Sequence, residues 1–590
     1  MGLVPLTMVA ALFETCGAAA VFLLVKIVND PAESASLPFV SSFADWLGLK
    51  EAQSIILAFT VALATFYLLK NLFTMLHTYA LGAVASHSTA TFARRLFQAY
   101  LAQPYAFHFR RNSSDLIRNL TTSVQEAFRV FLGSVLTLVT EALVVAGIAV
   151  VLLVAAPMAT LLLVGVFGTL AFLLVWFTQR TFAAWGEQEH GLQQQVVKTA
   201  QQTLGGIKEL KISGREIFFY ESFSAVQGQL ARIHRLRTTL LGLPRVLVET
   251  AFIFGILSLV TFMAFTSTRQ ADLLPLLGLY AYAGFRVIPS LNRILMHAGI
   301  VQGSSAAVSQ VYDDLQKLPA LGLREADHLR PAPLPFTNQL VVDGLSFTYE
   351  GSTTPAVNDI HATIRHGESI GIVGPTGAGK STLLDLFLGL LSATSGSITV
   401  DGRDIDDNIR AWQRKIGYVP QEIYLLDDTL RRNIALGLTD AEISEEHVQT
   451  ALRLAQLDSF VSTLPRGLDT EVGERGIRLS GGQRQRLGIA RSLYHGPELL
   501  IFDEATSALD NQTESEITRA IESLHGKKTL IIVAHRLTTI HNCDRLLFLK
   551  DGKLETSGSY DELLAASAEF RRIATGSTES RASSATLTPA

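Results

Sequence analysis

Six long apolar stretches fill the first half of the chain, and the second half has nothing like them. They run Leu3–Val28, Ser54–Leu81, Val130–Ala155, Met158–Phe177, Val246–Phe265 and Leu273–Ile300. A helix needs about 20 such residues to cross the hydrocarbon of a bilayer. Inside hydrocarbon no water pairs the backbone N–H and C=O groups, so segments of this kind can only be helical. Hydrophobic residues make up 48% of the 590 and mean hydropathy is +0.30, high for a soluble protein. The region 130–177 is nearly continuous but is broken at Ala155-Ala156-Pro157. A short outer turn there yields two antiparallel spans, and six spans are expected in all.

Basic residues set the orientation. The segments read as inside carry Arg94, Arg95, Arg110, Arg111, Arg118, Arg180, Lys198, Lys208, Lys211, Arg215, Arg232, Arg235 and Arg237, whereas the outside carries Lys50 and Arg269. The first span reads as a true span and not a cleaved leader, because it lacks a basic start and its apolar run is long for one. The inside segments, about 80–128 and 178–240, are polar yet keep helical spacing, as in QEHGLQQQVVKTAQQTL. They are expected to be helices projecting into the cytosol, with turns near Gln103–Arg111 and Gly205–Arg215. Leu37–Leu49 reads equally well as a short amphipathic helix on the outer interface or as a loop.

The second half has another chemistry. Gly374, Gly379, Lys380 and Ser381 fit G-x-x-x-x-G-K-[ST] between the apolar run Ser369–Val373 and the helix-forming run Thr382–Leu391. That is the strand–loop–helix setting of a phosphate-binding loop. Glycines let backbone N–H groups curl around phosphate oxygens, and the following helix adds its positive end. Lys380 would reach the β- and γ-phosphates and Ser381 would hold Mg²⁺. The prolines between Gln316 and Asn338 mark a linker, and the Ser/Thr/Ala-rich end after Thr575 reads as disordered. The expected domains are therefore 1–315, the linker 316–338, 339–575, and a tail 576–590. The fold class is an α-helical six-span transmembrane domain followed by an α/β P-loop nucleotide-binding domain. Cys16 and Cys543 fall in different domains, so no disulfide framework is implied. A net charge of −4 says little about partners. Neither zinc-ligand spacing nor a nucleic-acid-binding stripe occurs.

Further along come Leu479-Ser480-Gly481-Gly482-Gln483, LLIFDE at Leu499–Glu504, SALD at Ser507–Asp510, and His535. In order and spacing these strings resemble the ATP-binding-cassette (ABC) transporter family, in its exporter half-transporter form. The resemblance implies an ATPase with ATP and Mg²⁺ as cofactors. It implies that Asp503, with Ser381 and Gln421 (in YVPQE), serves the metal, that Glu504 is the general base, and that His535 contacts the γ-phosphate. Tyr349 would stack on adenine. Gly374, Thr376, Gly377, Gly379, Lys380, Ser381 and Thr382 would cradle ATP, while Ser480, Gly481, Gly482, Gln483 and Asp510 would close on it, the signature residues from a second subunit. TEVGERG at Thr470–Gly476 also resembles an exporter feature. Exporters usually carry a short interfacial helix before the first span. Here the apolar run begins within a few residues of Met1, so either that helix is missing or the true start lies upstream.

Cargo must be read from the membrane half. Charges inside spans are costly and default to function. Lys70, Arg286 and Arg293 lie within spans and Arg245 near the inner start of the fifth. They either line a cavity for an anionic cargo or pair with Glu14, Glu141 and Glu249. The strings FET (Phe13–Thr15), LPRVLVE (Pro244, Arg245, Glu249) and FRVIPSLNRI (Phe285–Ile294) resemble the bacterial flippases for polyprenyl-diphosphate-linked oligosaccharides of protein N-glycosylation. The expectation is thus a homodimer in the inner membrane, surrounded by lipid and free of nucleic acid, that flips an anionic lipid-linked glycan. A heterodimer with a degenerate partner stays open. Rival readings are an exporter of another glycolipid, drug or peptide, a channel on the same frame, or a soluble ATPase.

Overall fold

The computed structural model describes residues 3–29, 38–49, 51–155, 157–265, 270–318, 334–504, 511–533 and 537–574. The expected tail and most of the expected linker lie outside these residues. The chain divides into two compact units, Met1–Gln103 with Phe107–Ala326, and Pro104–Ala106 with Asp327–Ala590.

The first unit is all helix: α1 (Leu3–Asn29), α2 (Pro38–Leu47), α3 (Ala52–Leu101), α4 (Leu132–Ala155), α5 (Pro157–Gly205), α6 (Glu216–Phe265), α7 (Gln270–Gly303) and α8 (Ser305–Lys317). Among the described residues, five helices are long and apolar enough to cross a membrane. α7 runs for 34 residues, though the side chains of its first half are not described. Pro157 opens α5, where its missing N–H costs nothing. The Thr160 hydroxyl reaches back across the break to the Leu152 carbonyl at 2.9 Å. α3 has 50 residues, α5 has 49 and α6 has 50. At 1.5 Å per residue each is about 75 Å long, more than twice the hydrocarbon thickness, so each continues well past the membrane. Short helices at Tyr105–Arg110 and Ile207–Ser213 make the turns between these extensions. Of the stretch read as helix or loop, Pro38–Leu47 forms a helix, and its Val40 and Ala44 are buried with Ile27, Ile55 and Phe59.

One polar knot stiffens the extensions. The Asp314 carboxylate of α8 accepts from Tyr100 Oη (2.6 Å), Asn119 Nδ2 (3.0 Å) and Arg111 Nη1 (2.8 Å). The Tyr100 phenol is pushed up by burial and by its hydrogen bond to Asp314, so it remains the donor at all ordinary pH.

The second unit is α/β. Its strands are β1 (Gln339–Phe347), β2 (Val357–Arg365), β3 (Ser369–Val373), β4 (Ser395–Val400), β5 (Arg403–Asp404), β6 (Ile416–Val419), β7 (Leu499–Asp503), β8 (Thr529–Val533), β9 (Arg545–Lys550) and β10 (Lys553–Gly558). One sheet has the order β10-β9-β3-β8-β7-β6, parallel from β9 to β6 with β10 antiparallel at its edge. The other, β2-β1-β4-β5, is antiparallel. The central strands SIGIV, LLIFD and TLIIV are almost wholly buried, as parallel strands covered on both faces must be. Helix α9 (Lys380–Phe387) follows β3, and helix α10 (Gly481–Leu493) begins at the signature string.

Trp412 anchors this unit. It is 0% exposed and its indole Nε1 donates to the Phe387 carbonyl at the end of α9, 2.7 Å away. Trp412→Ala leaves both a void and an unpaired carbonyl, at a cost of about 3–5 kcal/mol. Thermal unfolding of the full chain is expected to show the nucleotide-binding unit melting roughly 10 °C lower. An unchanged melting profile would contradict this anchoring role.

Candidate functional site

Loops at the carboxyl ends of β3, β7 and β6 converge, since only β8 separates β3 from β7 and β6 adjoins β7. This edge is where open parallel sheets bind ligands. The loop after β3 is shaped by two close approaches. A Cβ on Gly374 would meet the Leu549 carbonyl oxygen at 2.2 Å, and one on Gly379 the Ala356 oxygen at 2.3 Å. Gly379 also caps α9 at φ 92°, a left-handed conformation that other residues resist. Thr376 and Gly377 stand exposed at the loop tip. Ser381 is exposed in the first turn of α9, while Lys380 and Thr382 beside it are buried.

Lys380 folds back under the loop and donates from Nζ to the carbonyls of Gly374 (2.8 Å) and Pro375 (3.0 Å). Burial pulls its pKa down, and the nearby Glu504 and Asp503 carboxylates oppose that pull. Asp503, at the end of β7, is raised by burial and by Glu504, while the Tyr418 hydroxyl at 3.4 Å and Lys380 act the other way. Asp385, one turn beyond Ser381 on α9, is pushed up to about 6 by burial and the charge of Asp503. Carboxyls crowded in this way call for a hard cation, which would let them ionise together. Glu504 leaves the strand at φ 48°, its N–H held by the Val533 carbonyl at 2.9 Å. Its Oε2 accepts from Gln421 Nε2 at 2.7 Å. Tyr349 comes to the same place, its hydroxyl 3.2 Å from Thr382 Oγ1 and its ring 43% exposed.

The structure therefore gathers Tyr349, the β3–α9 loop, Gln421, Asp503 and Glu504. Ser480 and Gln483 lie at the start of α10. They bond to each other in a capping box at the start of α10 (3.3 Å and 2.9 Å), with Gly481 exposed and Gly482 buried. His535 and Asp510 lie outside the described residues. Sequence reasoning missed Asp385 and Tyr418. A helical count from Ser381 finds the first, four residues on and on the same face. The second is three residues before Gln421, but only the strand pairing of β6 with β7 brings it to Asp503.

In the helical unit, each of the four singled-out cations meets a glutamate. Lys70 Nζ lies 3.0 Å from Glu14 Oε2 and Arg286 Nη2 lies 2.5 Å from Glu14 Oε1. Arg293 grips Glu141 with two nitrogens, at 2.6 and 3.1 Å. Arg245 pairs with Glu249 one turn along α6, both largely exposed. Two cations share Glu14, and Arg286 Nε is buried with no acceptor among the described residues. Helix α7 runs on through Pro289 without a break.

A glycine cradle that a Cβ would fill, a buried lysine and a cluster of carboxyls fit a nucleotide with its Mg²⁺, carried behind a helical membrane unit. Comparison with known proteins agrees. The family model "ABC transporter" matches residues 357–507 and "ABC transporter transmembrane region" matches 8–273. The ATP-dependent lipid A-core flippase of Ralstonia nicotianae is 30% identical over 493 residues, 82% of each chain. That of Salmonella typhimurium is 27% identical over 548 residues, 92% of each. A solved bacterial Atm1-family ABC exporter with ATP bound superposes with a TM-score of 0.73 at 25% identity, covering 96% of this chain and 98% of that one. The chain belongs to the ABC transporter family. It is an exporter of the bacterial inner membrane, an ATPase coupled to transport that uses ATP with Mg²⁺, and its nucleotide-binding domain is cytosolic.

Lys380→Ala removes the charge nearest the loop. Charged hydrogen bonds are worth about 1.5–3 kcal/mol, so ATP is expected to bind roughly ten- to a hundredfold more weakly. Equilibrium binding of ATP to the purified chain checks this, and unchanged affinity contradicts the cradle.

Proposed function

We propose that two identical chains form an ATP-driven flippase for an anionic lipid-linked glycan, of the polyprenyl-diphosphate kind. One observation carries the cargo reading. Among the described residues, Glu14 has two cationic partners, Lys70 and Arg286, which leaves an excess positive charge inside apolar helices, and Arg286 Nε has no acceptor. Uncompensated charge at such depth is expensive, and a diphosphate offers the missing acceptor oxygens. Arg293 lies two turns further in and serves the same group as it enters. Arg245 contributes least, because its exposed pair with Glu249 is screened. The names of the relatives favour a second reading, that the cargo is a lipid A-core glycolipid.

In the site, ATP supplies the transferable phosphoryl group and Mg²⁺ offsets its charge. Lys380 and the β3–α9 loop hold the phosphates, Tyr349 takes the base, and Ser381 and Asp503 hold the metal, with Gln421 beside them. Glu504 orients the attacking water and accepts its proton, and Gln421 aims the Glu504 carboxylate from 2.7 Å. His535 and Asp510 complete this arrangement at the γ-phosphate. Ser480, Gly481, Gly482 and Gln483 belong to the partner copy's nucleotide. Six spans per chain, with α7 as the sixth, complete the membrane path.

Two outcomes are expected. Glu504→Gln loses the proton acceptor but keeps the cradle, so steady-state hydrolysis falls by 10²-fold or more while ATP binding persists. Near-normal turnover would remove Glu504 from this role. Arg286→Ala lowers flipping of a diphosphate-linked glycolipid in reconstituted vesicles at least tenfold while basal ATPase activity survives. The melting profile decides its meaning. Glu14 keeps Lys70 as a partner, so the fold is expected to hold, whereas a purely structural arginine would take several kcal/mol of stability with it. A collapsed profile, or undiminished flipping, defeats the cargo reading.

A further inference from the structure

Asp503 stands between two other carboxyls. Burial and the neighbouring Glu504 both work against its ionisation, and burial and Asp503 together do the same to Asp385 of α9. A carboxylate so placed gains from any donor it can reach. Lys380 helps by charge alone, since its Nζ donates to the Gly374 and Pro375 carbonyls. Among the described residues, the one hydrogen-bond donor to Asp503 is the Tyr418 hydroxyl, 3.4 Å from Oδ2. A tyrosine keeps its proton far above neutral pH, so it donates and the carboxylate accepts.

The pairing of β6 with β7 makes this reach possible. Tyr418 is in register with Ile501, and Asp503 lies two residues further along β7. Side chains alternate along a strand, so Ile501 and Asp503 share a face, and the register puts Tyr418 on that face too. Its half-buried ring packs against the core of the sheet. A phenylalanine would fill that place as well, so packing leaves the hydroxyl unexplained. Three residues on, where β6 has ended, Gln421 Nε2 donates to Glu504 Oε2 at 2.7 Å. One strand and the loop after it thus give one donor to each of two consecutive acids. The Tyr418 contact is longer than the usual spacing of about 2.7–2.8 Å between hydroxyl and acceptor oxygens. Hydrogen bonds at reaction sites are often long until the ligand is bound.

We propose that Tyr418 is a positioning residue for the metal of the nucleotide site: its hydroxyl holds Oδ2 of Asp503 and leaves Oδ1 to the cation. The proposal rests on the reading of Asp503 as a metal ligand given above. Carboxylates that bind metals are commonly held by outer donors of this kind, which fix their orientation. Tyr418 acts through Asp503 and not on the phosphates. Its loss therefore falls on the part of nucleotide binding that depends on the metal, and spares the part that does not.

The test measures how tightly the full chain binds the non-hydrolysable imido analogue of ATP, once in EDTA and once in Mg²⁺. The ratio of the two affinities is the gain that the metal supplies. Tyr418→Phe keeps the ring and removes the hydroxyl. Its affinity in EDTA and its melting profile are expected to match those of the unmodified chain, while the gain falls roughly three- to tenfold, the worth of one hydrogen bond. An unchanged gain overturns the proposal. So does an early melt, or a loss in EDTA as large as the loss in Mg²⁺, because either marks a structural role. Asp503→Asn separates the two readings. If it abolishes the gain while Tyr418→Phe keeps it, Asp503 stands as a metal ligand and only the role of Tyr418 fails. If Asp503→Asn keeps the full gain, Asp503 does not serve the metal and both fail.

Discussion

A single carboxylate, Glu14, fastens three helices of the membrane unit. It takes Lys70 from α3 and Arg286 from α7, and only a residue on α1 with both oxygens turned inward can do so. Burying one charge is costly, and burying three is tolerable only when each is paired closely. Among the described residues both glutamate oxygens are paired, whereas the arginine Nε has no acceptor. The apolar surfaces of the spans supply little direction of their own, since lipid is as apolar as leucine. Ionic contacts of this kind, with Arg293 on Glu141, set which faces of α1, α3, α4 and α7 meet. Among the described residues the same contacts leave one more cation than carboxylate around Glu14.

The nucleotide-binding unit solves a related problem with the opposite sign. Asp385, Asp503 and Glu504 crowd one sheet edge, and burial works against ionisation of the two aspartates. Lys380 offsets part of this from beneath the loop. A metal bound there would offset more of it. Gln421 ties Glu504 to the loop after β6, so the state of the nucleotide bears directly on that loop. Pro104–Ala106, from the turn after α3, count within this same compact unit, and Ala106 packs against its hydrophobic core.

By itself the sequence determined the two-part plan, because apolar length and the glycine-lysine loop are local signals. Twenty apolar residues must be a helix in lipid whatever surrounds them, and Gly374 through Ser381 can be read without knowing what lies opposite. Spans, extensions, the α4–α5 break at Pro157 and the strand–loop–helix at the cradle all rest on such neighbours in the chain. What joins residues far apart in the sequence was settled only by the tertiary structure. Whether Lys70, Arg245, Arg286 and Arg293 stand alone or meet glutamates depends on which helix faces touch, and periodicity does not fix that. The same holds for Tyr418 and Asp385 beside Asp503 and for the small antiparallel sheet. Each of these joins elements far apart in the chain, and no single strand or helix encodes its partner.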